Sequence, residues 1–390
     1  MSIEAHKGIN MTEILRKPSR EGRAWVEIDL EALARNFARL SSLTPDGCEL
    51  MAVVKSDAYG HGAAPIAARL FQEGARSFAV ATVDEGMLLR DCGIEGEILV
   101  LGYTHPENAR FLGEYGLTQL IFDDAHAKAL DDTNTKIRVH ISIDTGMHRE
   151  GISASDISGI ESVFNCKNLT VDGMGTHLAS SDSRAQDDAA FTRTQIDKFY
   201  EMTDVIKNKG YDAGKLHIQA TYGMLNYPDI RCDYVRAGIG LFGVMSHSEP
   251  TLVFPELDPV LSLKAVVAQT RRIDEGESVS YGRIFTADKP MMIATVCIGY
   301  ADGVPRHISG NGGAVLIRGR RAPIVGRVCM DLLMADVTGI DDATQGDIAT
   351  LIGRDGDEEI CCEELAGAAG TITNEILCRL GSRLPRKYMS

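Results

Sequence analysis

LMAVVKSDAYGHGAAPIAARLFQEGARSFAVAT, residues 50–82, is the stretch on which the fold turns. It opens on a short apolar run, Leu50–Lys55, and passes through a polar turn. Ile66, Ala67, Leu70 and Phe71 then recur at helical spacing, and a second apolar run follows at Phe78–Thr82. Strand, helix, strand is one unit of an alternating α/β fold. The phrase repeats outward along the chain. Further runs stand at Ile98–Gly102, Gln119–Phe122, Ile137–Asp144, Leu169–His177, Leu216–Ala220 and Tyr234–Arg236. Helix-like stretches separate them, among them a long charged one over Asp187–Lys209. Eight such units predict a closed parallel (β/α)8 TIM barrel. A doubly wound open sheet is the competing reading of the same alternation.

The texture changes near residue 255. Leu261–Ile273, Met291–Ile298, Gly313–Ile317 and Ile348–Ile352 read as strands separated by Gly, Pro and Asp turns, with no helix between them. The expected organisation is an N-terminal extension (1–22), a barrel domain (23–255) and a C-terminal β-rich domain (256–390). Trp25–Ile28 precedes the barrel's first helix and is a strand candidate for the second domain.

Composition narrows the function classes. The 390 residues carry a net charge of −15, which argues against non-specific nucleic-acid binding. The 44% hydrophobic content suffices for a sizeable core, yet no apolar stretch approaches the ~18–20 residues of a membrane span. The polar N-terminus has no signal-peptide core, and Met11 could equally be a start. Nine cysteines form no C-x-x-C pair, so neither a metal site nor a disulfide framework is expected. These features predict a soluble cytoplasmic chain whose partner is a small molecule.

In an eight-fold barrel the chemistry sits at the C-terminal strand ends. Here those ends carry Lys55, Asp144 with Arg149 beyond it, His177, Thr221, and Arg236 followed by Gly238 and Ile239. Singly, each has an ordinary explanation: a solvated lysine, a packed histidine, a rim arginine in an ion pair. Their convergence on one face is what signals a site. A lysine ending an apolar run has its pKa lowered by burial and can form a Schiff base. Thr221, Gly238 and Ile239 follow strands seven and eight, the usual phosphate position of barrels. A Schiff-base lysine with a phosphate cradle implies pyridoxal phosphate, with Arg236 in reach of its ring.

At this point the sequence resembles the alanine racemase family. The resemblance is carried by AVVKSDAYGHG (52–62), IDTGMHREG (143–151), GTHLASSD (175–182), YVRAGIGLFG (234–243), SYG (280–282), IGYADG (298–303) and VGRVCMD (325–331). It runs from about residue 23 to the end. It implies that Lys55 holds the cofactor and serves as base on one face of the substrate, with Tyr59 on the phosphate. Tyr281 of a partner subunit is implied as the base on the other face, its phenolate favoured by Arg149. His177 is expected to pack on the pyridine ring and link to Arg149. Arg236 is expected at the ring nitrogen, where a donor-only guanidinium keeps that nitrogen unprotonated and limits side reactions such as transamination. Met330 and Asp331 resemble the partner residues that receive the substrate carboxylate, and Tyr300 a residue gating entry. The implied working unit is a homodimer with shared active sites, supplying D-amino acids for cell-wall peptidoglycan.

Two positions depart from the family pattern. Ser142 stands where many members carry a carbamylated lysine, so chloride or a water network is expected beside Arg149. The segment TITNE (371–375) places Asn374 where a tyrosine is usual, and HIQATYGMLNYP (217–228) also differs. Both features look like serine racemases associated with vancomycin resistance, and an asparagine amide can bind a substrate hydroxyl. The expectation is therefore a serine/alanine racemase, with a strict alanine racemase as the alternative. Those serine racemases usually carry an N-terminal membrane domain, and this sequence shows none, which suits an excised catalytic domain or a free-standing relative. A pyridoxal-phosphate barrel decarboxylase would need an acidic partner for the ring nitrogen, against Arg236. A non-enzymatic pyridoxal-phosphate carrier would lack the second domain.

Overall fold

Eight parallel strands close on themselves. In order they are Glu49–Val53, Ser77–Val80, Glu97–Val100, Thr118–Ile121, Ile137–Asp144, Leu169–Gly175, Lys215–Ala220 and Tyr234–Ala237. Each pairs in parallel with the next, and strand eight returns to strand one in the register Tyr234↔Glu49 to Ala237↔Ala52. That last pairing makes a (β/α)8 barrel and excludes the open sheet. The computed structural model describes residues 22–246 and 249–389, so the expected N-terminal extension, except for Gly22, lies outside the described residues. The possible start at Met11 lies outside them too.

The helices between the strands form where a polar cap precedes an apolar face. Thr82, Asp123 and Asp156 each accept a backbone N–H three residues on, opening the helices Val83–Asp91, Asp124–Asp131 and Ile157–Phe164. After strand eight there is only a short 3-10 turn, Ile239–Phe242. The helix Leu30–Ser42, which precedes strand one, packs into that place. Buried Asn36 fixes it there. Its Nδ2 donates to Leu241 O (3.2 Å) and Asp258 O (2.7 Å), and its Oδ1 accepts from Asp258 N (2.8 Å).

The second sheet is built around Leu261–Ile273, thirteen residues with alternating burial. It pairs antiparallel with Ala24–Asp29, Ile348–Asp355 and Met291–Val296. Ala24–Asp29 thus crosses from the start of the chain, as expected of Trp25–Ile28. Arg386–Met389 pairs parallel to it on the outer edge. The domain is β-rich, as the sequence reading expected. The structure adds two helices, Cys362–Ala369 and Thr373–Cys378, which return the chain to the barrel mouth. Among the described residues no helix is long and apolar enough to cross a membrane, and all nine cysteines are free.

Asn36 is the buried polar side chain that ties the first helix to the crossover between barrel and second sheet, beside the more exposed ion pairs of Arg35 and Arg39 with Asp258. Asn36→Leu keeps the size but strands two carbonyls and one N–H in the interior. It should lower the unfolding free energy by roughly 2–4 kcal/mol in a urea titration. A change below about 0.5 kcal/mol would mean that these groups find other partners.

Candidate active site

A cavity of about 830 Å³ opens at the C-terminal end of the barrel. Of the residues singled out from the sequence, Lys55, Tyr59, Arg149, His177, Thr221, Arg236, Gly238, Ile239 and Asn374 all line it. Strand one ends at Val53, two residues before Lys55, rather than at Lys55 itself. The lysine instead opens a turn in which Ser56, Asp57, Ala58 and Tyr59 all have φ near +54°. Successive left-handed residues cost about 1–2 kcal/mol each. Side chains hold the turn. Glu85 takes Ser56 N and Ala81 N on its two oxygens, both at 2.7 Å, and Asp57 takes Ala63 N at 2.7 Å. The result is an amine aimed at the cavity that makes no hydrogen bond or ion pair among the described residues. Burial, then the charge of Arg149, push its pKa down.

Arg236 is buried against acceptors only. Nη1 donates to His217 O (2.9 Å) and faces His217 Nδ1 (2.6 Å). Nη2 donates to Thr176 O (2.8 Å) and Ile218 O (3.3 Å) and faces His177 Nδ1 (3.1 Å). Nε has no partner among the described residues. Burial lowers the pKa of this arginine to about 10. His177 therefore links to Arg236, and the expected hydrogen bond to Arg149 is not made. The reason is geometric: Arg149 lies on the loop beyond strand five, half exposed, with Nη2 3.3 Å from Glu150 Oε1. Asp144, the polar end of strand five, shapes that loop by accepting Gly146 N, His148 N and His148 Nδ1.

Next to the turn that begins at Lys55, Thr221 Oγ1 accepts Gly238 N at 3.2 Å. A Cβ on Gly238 would stand 2.6 Å from Tyr59 Oη, so only glycine permits this approach. Tyr59 Oη and Ile239 N–H make no hydrogen bond among the described residues, which leaves donors facing the cavity. Ser142 is buried in the wall. Asn374 reaches the mouth because Thr373 Oγ1 bonds Met245 O (2.9 Å), and its Oδ1 accepts Ser246 Oγ (2.7 Å). Ser246, Glu150, His217 and Cys378 also line the cavity, and the sequence reading assigned none of them a role. Only His217 carried a signal, as a polar residue on the inward face of a strand.

Tyr281, Tyr300, Met330 and Asp331 are not brought to this cavity. They lie on the second sheet's loops, with Tyr281 69% exposed and Met330 53%. Tyr300 N and Ala301 N bond Cys329 O and Met330 O, which makes Tyr300 a neighbour of Met330. The Asp331 carboxylate is taken by Arg383 (2.5 Å), with Arg23 at 3.6 Å. Exposed Ile284 and Leu332 share the same loops.

Comparison with known proteins fits this geometry. The family model described as "Alanine racemase, N-terminal domain" matches residues 28–246, and "Alanine racemase, C-terminal domain" matches 260–388. The chain is similar to an "Amino-acid racemase" of Enterococcus faecalis, at 44% identity over 93% of this chain and 51% of that protein. It is also similar to a "Serine/alanine racemase" of Enterococcus gallinarum, at 38% over 93% of this chain and 51% of that one. The chain thus spans about half the length of both. Among solved structures, an alanine racemase from Bartonella henselae "with covalently bound pyridoxal phosphate" superposes with a TM-score of 0.83. It shares 30% identity, covering 95% of this chain and 100% of that one.

The buried histidines set a pH dependence of stability. Burial first, with nearby positive charge, holds His177 at about 3 and His61 at about 4, and His217 lies well below its ordinary value for the same reason. Below about pH 6.5 the unfolded chain protonates these rings while the folded one does not. Stability is therefore complete above that pH and declines as pH falls towards 4, by roughly 1–2 kcal/mol per histidine at about pH 5. Thermal midpoints should be level from about pH 8 to 7 and drop below about 6.5. A midpoint unchanged down to about pH 5 contradicts the burial of neutral imidazoles.

Proposed function

Because the chain belongs to the alanine racemase family, we propose that it interconverts the L and D forms of a small amino acid. The substrates are serine and alanine, serine preferred, and the cofactor is pyridoxal phosphate. One observation carries this reading: a single cavity holds an unpaired, half-buried amine at Lys55, an Arg236 with Nε unspent, and unspent donors at Tyr59 and Ile239. An aldehyde, a ring nitrogen and a phosphate match these three sets. Lys55 would hold the aldehyde carbon, Arg236 Nε the ring nitrogen, and Tyr59, Thr221, Gly238 and Ile239 the phosphate. When bound, the cofactor withdraws electrons from the substrate Cα and makes its proton acidic.

The chain's own groups then move that proton. Lys55 Nζ, kept towards its neutral form by burial and Arg149, takes it from or returns it to one face. Inversion needs a second group on the opposite face. Tyr281 is that group, supplied by a second copy of the chain, which suits its exposure here. Arg149 favours its phenolate by charge. The N–H groups of Met330 and Asp331 make no bond among the described residues and would meet the substrate carboxylate from the same copy. The Asp331 side chain, already committed to Arg383, would not. Tyr300 stands beside them at the entry. His177 packs beside the ring and braces Arg236. The apolar face of Tyr281, Ile284, Tyr300, Met330 and Leu332 is the dimer surface on this reading. The two working parts divide near residue 255, and the pair acts in the cytoplasm, delivering D-amino acids for peptidoglycan.

Serine preference rests on Asn374. Ser246 occupies its Oδ1, so Nδ2 is left to donate to a substrate hydroxyl. Asn374→Tyr should lower the ratio of kcat/KM for L-serine to that for L-alanine by about tenfold. An unmoved ratio would favour the strict alanine racemase. For the two-base assignment, Tyr281→Phe should cut racemisation by about a hundredfold or more. Exchange of the Cα proton of one enantiomer with solvent deuterium should persist. Loss of exchange for both enantiomers, or racemisation left intact, would remove Tyr281 from the role.

A further inference from the structure

A thread of polar side chains runs down the inside of the barrel, where bulky aliphatic layers are the norm. It begins at Arg236 in strand eight, whose Nη1 lies 2.6 Å from His217 Nδ1 in strand seven. His217 Nε2 lies 2.9 Å from His140 Nδ1 in strand five. His140 Nε2 lies 3.2 Å from Glu97 Oε1 at the start of strand three. This last pair does not have hydrogen-bond geometry, yet both atoms are buried and neither has any other partner among the described residues. Glu97 Oε2 also accepts Tyr234 Oη at 3.1 Å. Both histidines are fully buried.

The direction of every bond in this thread is dictated by its ends. A guanidinium only donates, so His217 Nδ1 must keep its lone pair. The proton of that neutral ring is then on Nε2, which donates to His140 Nδ1. His140 in turn carries its proton on Nε2, aimed at Glu97. A carboxylate only accepts, and so ends the chain correctly. With a donor in place of Glu97 both rings would be driven to the other tautomer, and His217 N–H would face Arg236 N–H at 2.6 Å.

The backbone is shaped for these rings. Strand six carries Gly173 and Gly175, two residues apart and so on one face. A Cβ on Gly173 would stand 2.8 Å from His140 Cε1, and one on Gly175 2.0 Å from His217 Cε1. Any side chain at either position would displace an imidazole.

We propose that Glu97, far from the cavity at the opposite end of the barrel, is a positioning residue for Arg236. It acts through His140 and His217 as a one-way hydrogen-bond chain that keeps an acceptor against the guanidinium. Its consequence for activity rests on the proposed function, because Arg236 is the group assigned to the cofactor ring. The tautomers do not depend on that assignment. The buried carboxylate fits the role: hydrogen bonding from His140 and Tyr234 and the charge of Arg138 hold its pKa down against desolvation, the largest single influence.

The test is 15N NMR of histidine-labelled protein as purified, with its cofactor. His140 and His217 should both be protonated on Nε2 and bare on Nδ1. Glu97→Met removes the acceptor without adding a donor. It should scramble the tautomer at His217, two bonds along the chain, and weaken pyridoxal phosphate binding and kcat roughly tenfold each. KM for the amino acid should stay within about threefold, since Arg236 is not assigned to substrate. Glu97→Gln, whose amide oxygen can still accept, should restore the His217 signal. His140→Phe should cut the chain with Glu97 in place and scramble His217 likewise. A proton on His217 Nδ1 in the unmodified protein overturns the proposal, as does a His217 signal unmoved by Glu97→Met. If neither variant folds, the spectrum of the unmodified protein decides. Racemisation of L-serine and L-alanine by that same protein is the separate check. Its failure with the tautomers intact removes the proposed function and leaves the chain standing.

Discussion

The pairing of strand eight with strand one is the contact on which the site depends. Tyr234 to Ala237 lie against Glu49 to Ala52 in parallel register. That seam brings Arg236 and the Gly238–Ile239 turn beside the turn that begins at Lys55, although about 180 residues separate them in sequence. Gly238 can sit against Tyr59 because it has no side chain: a Cβ there would stand 2.6 Å from Tyr59 Oη. Were the sheet open at that edge, the amine and the anion-facing donors would lie on different rims. Closure is therefore a condition of the chemistry as well as of the fold.

Closure also creates an interior, and this chain fills part of it with charge. A guanidinium taken out of water costs several kcal/mol unless its surroundings replace the lost hydration. Here three backbone carbonyls and two imidazole nitrogens do so. None of these acceptors is anionic, and the carboxylate at the end of the thread is two rings away. Arg236 therefore sits in a field of fixed dipoles whose orientation is set by hydrogen-bond direction. Such a group donates and does not take part in proton traffic. Lys55, by contrast, is biased towards the neutral amine by burial and the charge of Arg149.

The second sheet contributes by reach. Leu261–Ile273 binds the chain's first strand, Ala24–Asp29, so the two units are stitched at both ends of the barrel sequence. Its terminal helices return to the mouth and place Asn374 against Ser246. Its other loops turn away and leave Tyr281, Tyr300 and Met330 in solvent. One chain thus presents two halves of different character, a concave site rich in donors and a loop face rich in exposed aromatic and apolar side chains.

Much of this was legible in the sequence. The eight apolar runs fell on the eight strands within two residues, because a buried parallel strand needs a near-continuous apolar segment and leaves a plain trace. Nine of the candidate site residues lie around one cavity, because barrel strand ends share a face by construction. Tertiary structure decided the rest. The left-handed turn after Val53 is held by Glu85, about thirty residues on, and no local pattern announces it. His177 turned to Arg236 instead of Arg149, since Arg236 is buried on the neighbouring strand and Arg149 lies half exposed on a loop. The two C-terminal helices were read as part of a strand-rich region, their short apolar segments being ambiguous in period. His140, His217 and Glu97 gave no hint of acting together. Their link is a direction of hydrogen bonding across three strands, a property that exists only once the barrel has closed around them.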